Sequence, residues 1–88
     1  MLIRSQNKEV LIAFESLLDI EVSGGVISAR RDMRWWRLLG EYSTKEKAMK
    51  VLDMIQKRYE EYETERIYKE GVFKIETFQM PADSEVVV

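Results

Sequence analysis

Residues 30–37, Arg-Arg-Asp-Met-Arg-Trp-Trp-Arg, decide how the first half of this chain folds. If they form the bend and return strand of a hairpin, the first half is a run of strands. If residues 29–39 are instead a helix closed by Gly40, then Met33, Trp36 and Leu39 share its buried face. The strand reading is preferred. It turns the chain near Arg31 to Met33, although nothing in Arg-Asp-Met is a strong turn signal, and runs on through RWWRLLGEY. In that strand Arg34, Trp36 and Leu38 lie on one face and Trp35, Arg37 and Leu39 on the other. Each face then carries one Trp, one Leu and one Arg. Such a strand needs cover near Leu38 and Leu39 and becomes exposed toward Arg34. One tryptophan is expected in the core, with the other beneath an arginine stem.

Upstream, the chain reads as short strands. MLIR is apolar, and SQNK is a turn by composition. In EVLIAF, Val10, Ile12 and Phe14 share one face and Leu11 and Ala13 the other, the pattern of a strand covered on both sides. ESLL is a turn or a single helical turn. DIEV alternates Asp19 and Glu21 outward with Ile20 and Val22 inward, and Ser23-Gly24-Gly25 is a tight hairpin turn leading into VISAR.

Downstream, the pattern changes period. STKE reads as a capping box, with Ser43 accepting from the Glu46 amide and Glu46 reaching back. Ala48, Val51, Leu52, Ile55, Tyr59 and Tyr62 then recur at spacings of three and four, which predicts one amphipathic helix from 44 to about 64. Gly71 breaks it. VFKIETF predicts a late strand near 72–79, with Phe73, Ile75 and Thr77 opposite Lys74 and Glu76. Pro81 ends regular structure. The fold expected is therefore α+β: a single antiparallel sheet of four to five strands, one long helix packed across it, and a late C-terminal strand. Residues 1–80 make the domain, and 81–88 a flexible tail too short to anchor itself.

Composition narrows the chemistry. The 88 residues carry a formal charge of −2, no cysteine and no histidine. Disulfides, thiolate metal sites, the Ser-His-Asp arrangement and histidine-containing zinc sites are excluded. No P-loop, GxGxxG turn or calcium loop is present. No apolar run approaches the roughly 20 residues of a membrane span, and the start has no signal-peptide core. The expectation is a cytoplasmic, non-catalytic protein with no cofactor, no metal and no membrane partner.

Two charged patches remain as candidate interaction residues. Arg30, Arg31, Arg34 and Arg37 against Asp32 leave a net +3 around Trp35 and Trp36. Glu60, Glu61, Glu63 and Glu65 crowd the far end of the helix, while Lys45, Lys47 and Lys50 sit in its first turns, so the helix charges oppose its dipole. The patches could meet within one molecule or between two copies in a homodimer. Arginine and tryptophan are enriched at protein-interface hot spots. Single-stranded nucleic acid is the alternative partner, through base stacking on tryptophan, but the acidic net charge disfavours it. A further alternative is an acidic mimic of nucleic acid using Glu60 to Glu65.

MLIRSQNK together with LGEYSTKEKAMKVLDMI resembles a group of short uncharacterised bacterial and phage-associated proteins. These open with I-R-S-Q-x-K and carry a G-E-Y-S-T strand-to-helix junction before an amphipathic helix. The likeness spans roughly the first two-thirds of the chain and departs at ARRDMRWWR, which is more basic than that pattern. It implies a bacterial or prophage setting and strands followed by a helix, with no assigned activity and no functional residue to transfer.

Overall fold

Trp36–Glu41 is extended and pairs antiparallel with Val26–Arg30, so the decisive stretch is a hairpin and not a helix. The computed structural model describes residues 1–68 and 76–88, with side chains described for 1–66 and 76–88. In chain order the elements are β1 (Leu2–Arg4), β2 (Leu11–Ala13), a 3₁₀ turn (Phe14–Ser16), β3 (Asp19–Ser23), β4 (Val26–Arg30), β5 (Trp36–Glu41), α1 (Lys45–Tyr68), β6 (Thr77–Gln79) and a second 3₁₀ turn (Asp83–Glu85). The class is α+β, with one long helix. The strands form two three-stranded sheets in the orders β2-β1-β6 and β3-β4-β5, instead of the single sheet expected. The second correction is direction: β6 pairs parallel with β1.

The β3-β4-β5 sheet is a meander with one irregularity. Gly24 and Gly25 form the two-residue turn between Ser23 and Val26, with Gly24 at φ +58°. The second turn spans residues 31–35. Its signal is Asp32, whose Oδ1 accepts from the amides of Arg34 (2.8 Å) and Trp35 (2.9 Å). An aspartate bonding its own downstream amides makes a turn without glycine or proline. Between Ser28↔Leu38 and Ile27↔Gly40 the register slips by one, so Leu39 is an extra residue on β5. A bulge turns consecutive residues the same way. Leu39 and Gly40 are both buried, while Leu38 stays 42% exposed.

The β2-β1-β6 sheet is smaller. Ile3, Ile12 and Phe78 are inward across the three strands and in register with one another. Leu11, 58% exposed, shows that β2 is an edge strand open on one face, and not the doubly covered strand expected. Likewise Phe78 points inward and Thr77 outward, the reverse of the face assigned to Thr77. Residues 69–75, including the expected break at Gly71 and Phe73, Lys74 and Ile75 of the expected late strand, lie outside the described residues.

Helix α1 packs on β3 and β4 through the predicted stripe. Ala48, Val51 and Ile55 are buried, Tyr59 and Tyr62 are half-buried against the same core, and Leu52 is half-buried. Burying one valine or isoleucine contributes about 1.5–3 kcal/mol, against about 0.3–1 kcal/mol for a charge misplaced on the dipole, so packing wins. The cap differs by one residue from the expected box. Thr44 Oγ1 accepts from the Lys47 amide (3.1 Å), making Thr44 the N-cap. The Ser43 amide instead donates to Asp83 Oδ1 (2.7 Å), and Lys47 Nζ donates to the Asp83 carbonyl (3.1 Å). A carboxylate from the end of the chain thus sits at the positive pole of the helix.

That contact belongs to a larger anchorage of residues 81–88, the stretch expected to be a free tail. Val86 is 5% exposed, and the Pro81 carbonyl accepts from Tyr42 Oη (2.9 Å). Burial, reinforced by Asp83 and Glu85, pushes the Tyr42 hydroxyl up to about 12, so it is a neutral donor at any ordinary pH.

Two outcomes are expected. A Cβ on Gly25 would lie 2.1 Å from the Tyr42 carbonyl oxygen, whereas one on Gly24 meets nothing within 4 Å and bears only the left-handed φ. In urea denaturation Gly24→Ala should therefore cost about 1–2 kcal/mol and Gly25→Ala about 3 kcal/mol or more. Second, hydrogen bonds from Ser43, then the charge of Lys47, hold the Asp83 carboxyl below its usual range despite some desolvation. A depressed carboxylate contributes stability above its unfolded pKa and loses it as the pH falls through the folded value. Asp83→Asn should lower Tm at neutral pH. The gap to wild type should close as the solution is acidified below the ordinary aspartate range, about 3.9.

Candidate interaction surface

The outer end of the β4–β5 hairpin carries the exposed large hydrophobic side chains Met33, Trp36 and Leu38, close in sequence to Trp35. Met33 is 87% exposed and Trp36 68%, with Leu38 beside Trp36 on the same face of β5. Alternation along the strand puts Trp35 and Arg37 on the other face. Trp35 is half-buried against the core, and two guanidiniums approach its ring: Arg31 Cζ at 5.0 Å and Arg37 Cζ at 5.8 Å from the centroid. Each such contact is worth about 0.5–1 kcal/mol at an exposed site. The two tryptophans therefore differ in kind. Trp35 is clamped, and Trp36 is presented.

The arginines differ as well. Arg30 pairs with Asp19, directly opposite it on β3, and the hydrogen bond and charge of that carboxylate raise the Arg30 pKa. Arg30 is thus paired across the sheet, while its side chain remains 41% exposed. Arg31, Arg34 and Arg37 have no ion-pair partner among the described residues. Asp32, the one acid within the patch, spends one carboxylate oxygen on the turn amides.

The acidic end of α1 is less uniform than its sequence. Arg66 donates to Glu63 (2.8 Å) and holds that carboxyl below its usual range, although burial pushes the other way. Glu60 accepts from Gln56 (3.1 Å), Glu61 is exposed and Glu65 is half-buried. No ion pair among the described side chains joins Arg34 or Arg37 to Glu60, Glu61 or Glu63. Both patches nevertheless lie toward one end of the molecule. Glu60 and Tyr59 line a groove of about 430 Å³ with Leu18 and Asp19, and Asp19 opposes Arg30 at the base of the hairpin loop.

Sequence reasoning missed the state of the β5 edge. β5 is the outermost strand of its sheet. Its second half is covered by Gln6, whose amide donates to the Leu39 carbonyl (2.8 Å). The Gln6 side chain also exchanges two hydrogen bonds with the Glu41 main chain. Nothing of the kind covers residues 36–38 among the described residues. Among those residues no group of acidic side chains is placed to hold a metal ion, and no helix is long and apolar enough to cross a membrane. The chain matches no family model, no curated protein and no solved structure.

The division between the tryptophans is directly checkable by fluorescence. In Trp35→Phe the remaining Trp36 should emit at long wavelength and be quenched readily by acrylamide. In Trp36→Phe the remaining Trp35 should emit further to the blue and resist quenching. A double-mutant cycle of Arg31→Ala and Trp35→Leu should return a coupling of about 0.5–1 kcal/mol.

Proposed function

We propose that this protein is a non-catalytic protein-interaction module whose working surface is the outer end of the β4–β5 hairpin. The observation that carries the reading is Trp36, 68% exposed on the same strand face as Leu38, at a hairpin end whose Arg31, Arg34 and Arg37 no described carboxylate neutralises. An exposed tryptophan costs solvation unless something covers it. An aromatic anchor inside an arginine rim has the composition of an interface hot spot. A cytoplasmic setting in a bacterium or its mobile elements is part of the same proposal, resting on the absence of cysteine and on the likeness of MLIRSQNK and GEYST to bacterial and phage-associated proteins.

Single-stranded nucleic acid is the second reading, and the clamp on Trp35 weighs against it. Base stacking needs an open ring face. Trp35 is half-buried against the core and approached by two of the protein's own arginines, leaving one tryptophan freely exposed for stacking on a molecule of net charge −2. The acidic-mimic reading loses Glu63 to its pair with Arg66.

The test separates these partners. Trp36→Ala with Arg34→Ala removes the presented ring and an unpaired guanidinium while leaving the Trp35 packing intact, so Tm should change little. Protein association measured by light scattering or biolayer interferometry should fall at least tenfold. Labelled mixed-sequence oligonucleotides, single- and double-stranded, should show no saturable anisotropy change at low salt, where charge attraction is least screened. Saturable oligonucleotide binding that weakens steeply with salt would favour the second reading.

A further inference from the structure

The open half of the β5 edge has a shape and charge that select an occupant. The Arg31 amide donates to the Trp35 carbonyl (3.2 Å), and the ladder continues through Ala29↔Arg37. Antiparallel strands alternate between residues that face the neighbour and residues that face away. That alternation turns the main-chain groups of Trp36 and Leu38 away from β4, where no described residue pairs with them. Just beyond, Gln6 already behaves as a fragment of added strand, with its main chain on Leu39 and its side-chain amide on Glu41. The edge therefore accepts strand-like partners, and half of it remains unfilled.

Charge decides which partner fits. A second copy pairing β5 against β5 would bring Arg37, Arg34 and Arg31 of both chains together, and like charges opposite one another are destabilising. An extended segment carrying carboxylates meets the opposite situation. We propose, building on the reading of the hairpin as a protein-binding surface, that residues 36–38 of β5 take up an acidic extended segment of a partner protein as an added strand. Its carboxylates lie on Arg31, Arg34 and Arg37, and its apolar side chains on Trp36 and Leu38. Main-chain hydrogen bonds supply the register, and alternate side chains supply the selectivity. The open edge is short, so the affinity is expected to be modest and to depend on Trp36.

The experiment uses the full chain and four fluorescein-labelled probes in anisotropy titrations. They are a peptide alternating glutamate with valine, the same peptide with lysine for glutamate, the glutamate peptide N-methylated at alternate residues, and an oligo-deoxythymidylate of similar charge. The glutamate peptide should bind saturably, with at least tenfold loss for the lysine and N-methylated forms and no tighter binding by the oligonucleotide. Trp36→Ala, and separately Arg34→Glu with Arg37→Glu, should each weaken the glutamate peptide at least tenfold, with circular dichroism unchanged. Equal binding of the N-methylated peptide would overturn strand addition while leaving a protein-binding surface in place. Oligonucleotide binding in the absence of any peptide binding would overturn both. Concentration-dependent dimerisation that is abolished by Trp36→Ala and strengthened by Arg37→Ala would assign the edge to a second copy, and so overturn the acidic-segment proposal alone.

Discussion

Gln6 at the end of β1 is the point through which the two sheets are held as one domain. Its main-chain amide bonds the Leu39 carbonyl, and its side chain matches both main-chain groups of Glu41 while also reaching the Pro81 carbonyl. This requires β5 to turn the Leu39 carbonyl toward the first sheet while Leu38 and Gly40 on either side stay in register with β4. The extra residue in the β4–β5 register does this by breaking the alternation at Leu39. Space is equally constrained. A Cβ on Gly40 would stand 3.1 Å from the Tyr42 ring and 3.3 Å from Gln6 Cβ, so the approach of the two sheets depends on that hydrogen. A short β1 and a short β6 have little stability alone. Joined at Gln6 and Tyr42, they share the core of the larger sheet.

The end of the chain completes that joint. Met80, 1% exposed, donates its amide to the Arg4 carbonyl, and Pro81 accepts from Gln6 and Tyr42. Asp83 then faces the start of α1 through Ser43 and Lys47. The helix whose own charges oppose its dipole is thus served by a carboxylate brought from almost forty residues away, at Asp83. A basic first turn is tolerated because a distant acid does the electrostatic work and the buried stripe does the larger energetic work. The chain near 80–86 is a structural element of the helix N-terminus, even though it has no periodicity of its own.

These couplings explain which features were legible in the sequence. The helix was readable because its period is carried by many residues, from Ala48 to Tyr62, and the Ser23–Val26 hairpin because two glycines make one turn geometry. The α+β class followed from those two elements. The parallel pairing of β6 with β1 was not readable, since three-residue strands carry too little pattern to name a neighbour. The cap was misplaced by one residue because Ser43 and Thr44 are chemically equivalent as caps, and only Asp83 claims the Ser43 amide. In the hairpin, the Arg/Trp stretch was visible as a composition, but its internal division was not. Arg30 opposing Asp19 is a consequence of register, Asp32 turned onto its own backbone is a consequence of the turn, and the approach of Arg31 and Arg37 to Trp35 follows from both.

A basic hairpin on an acidic molecule constrains the kind of recognition it supports. With a net charge of −2, the field beyond a Debye length of about 8 Å at physiological salt is not attractive to polyanions. Long-range steering, on which nucleic-acid binders draw for rate and affinity, is therefore weak. At contact distance the picture reverses, because Arg31, Arg34 and Arg37 face the incoming group with no described carboxylate against them. Guanidiniums at an open strand edge commonly keep that edge from pairing with its own kind. On the proposed reading, the same repulsion becomes attraction for a segment of opposite charge, so one arrangement would oppose self-pairing and discriminate between partners. The proposed selectivity thus rests on the few ångströms around Trp36, where an open main-chain edge, an exposed ring and unpaired guanidiniums of the same hairpin come together.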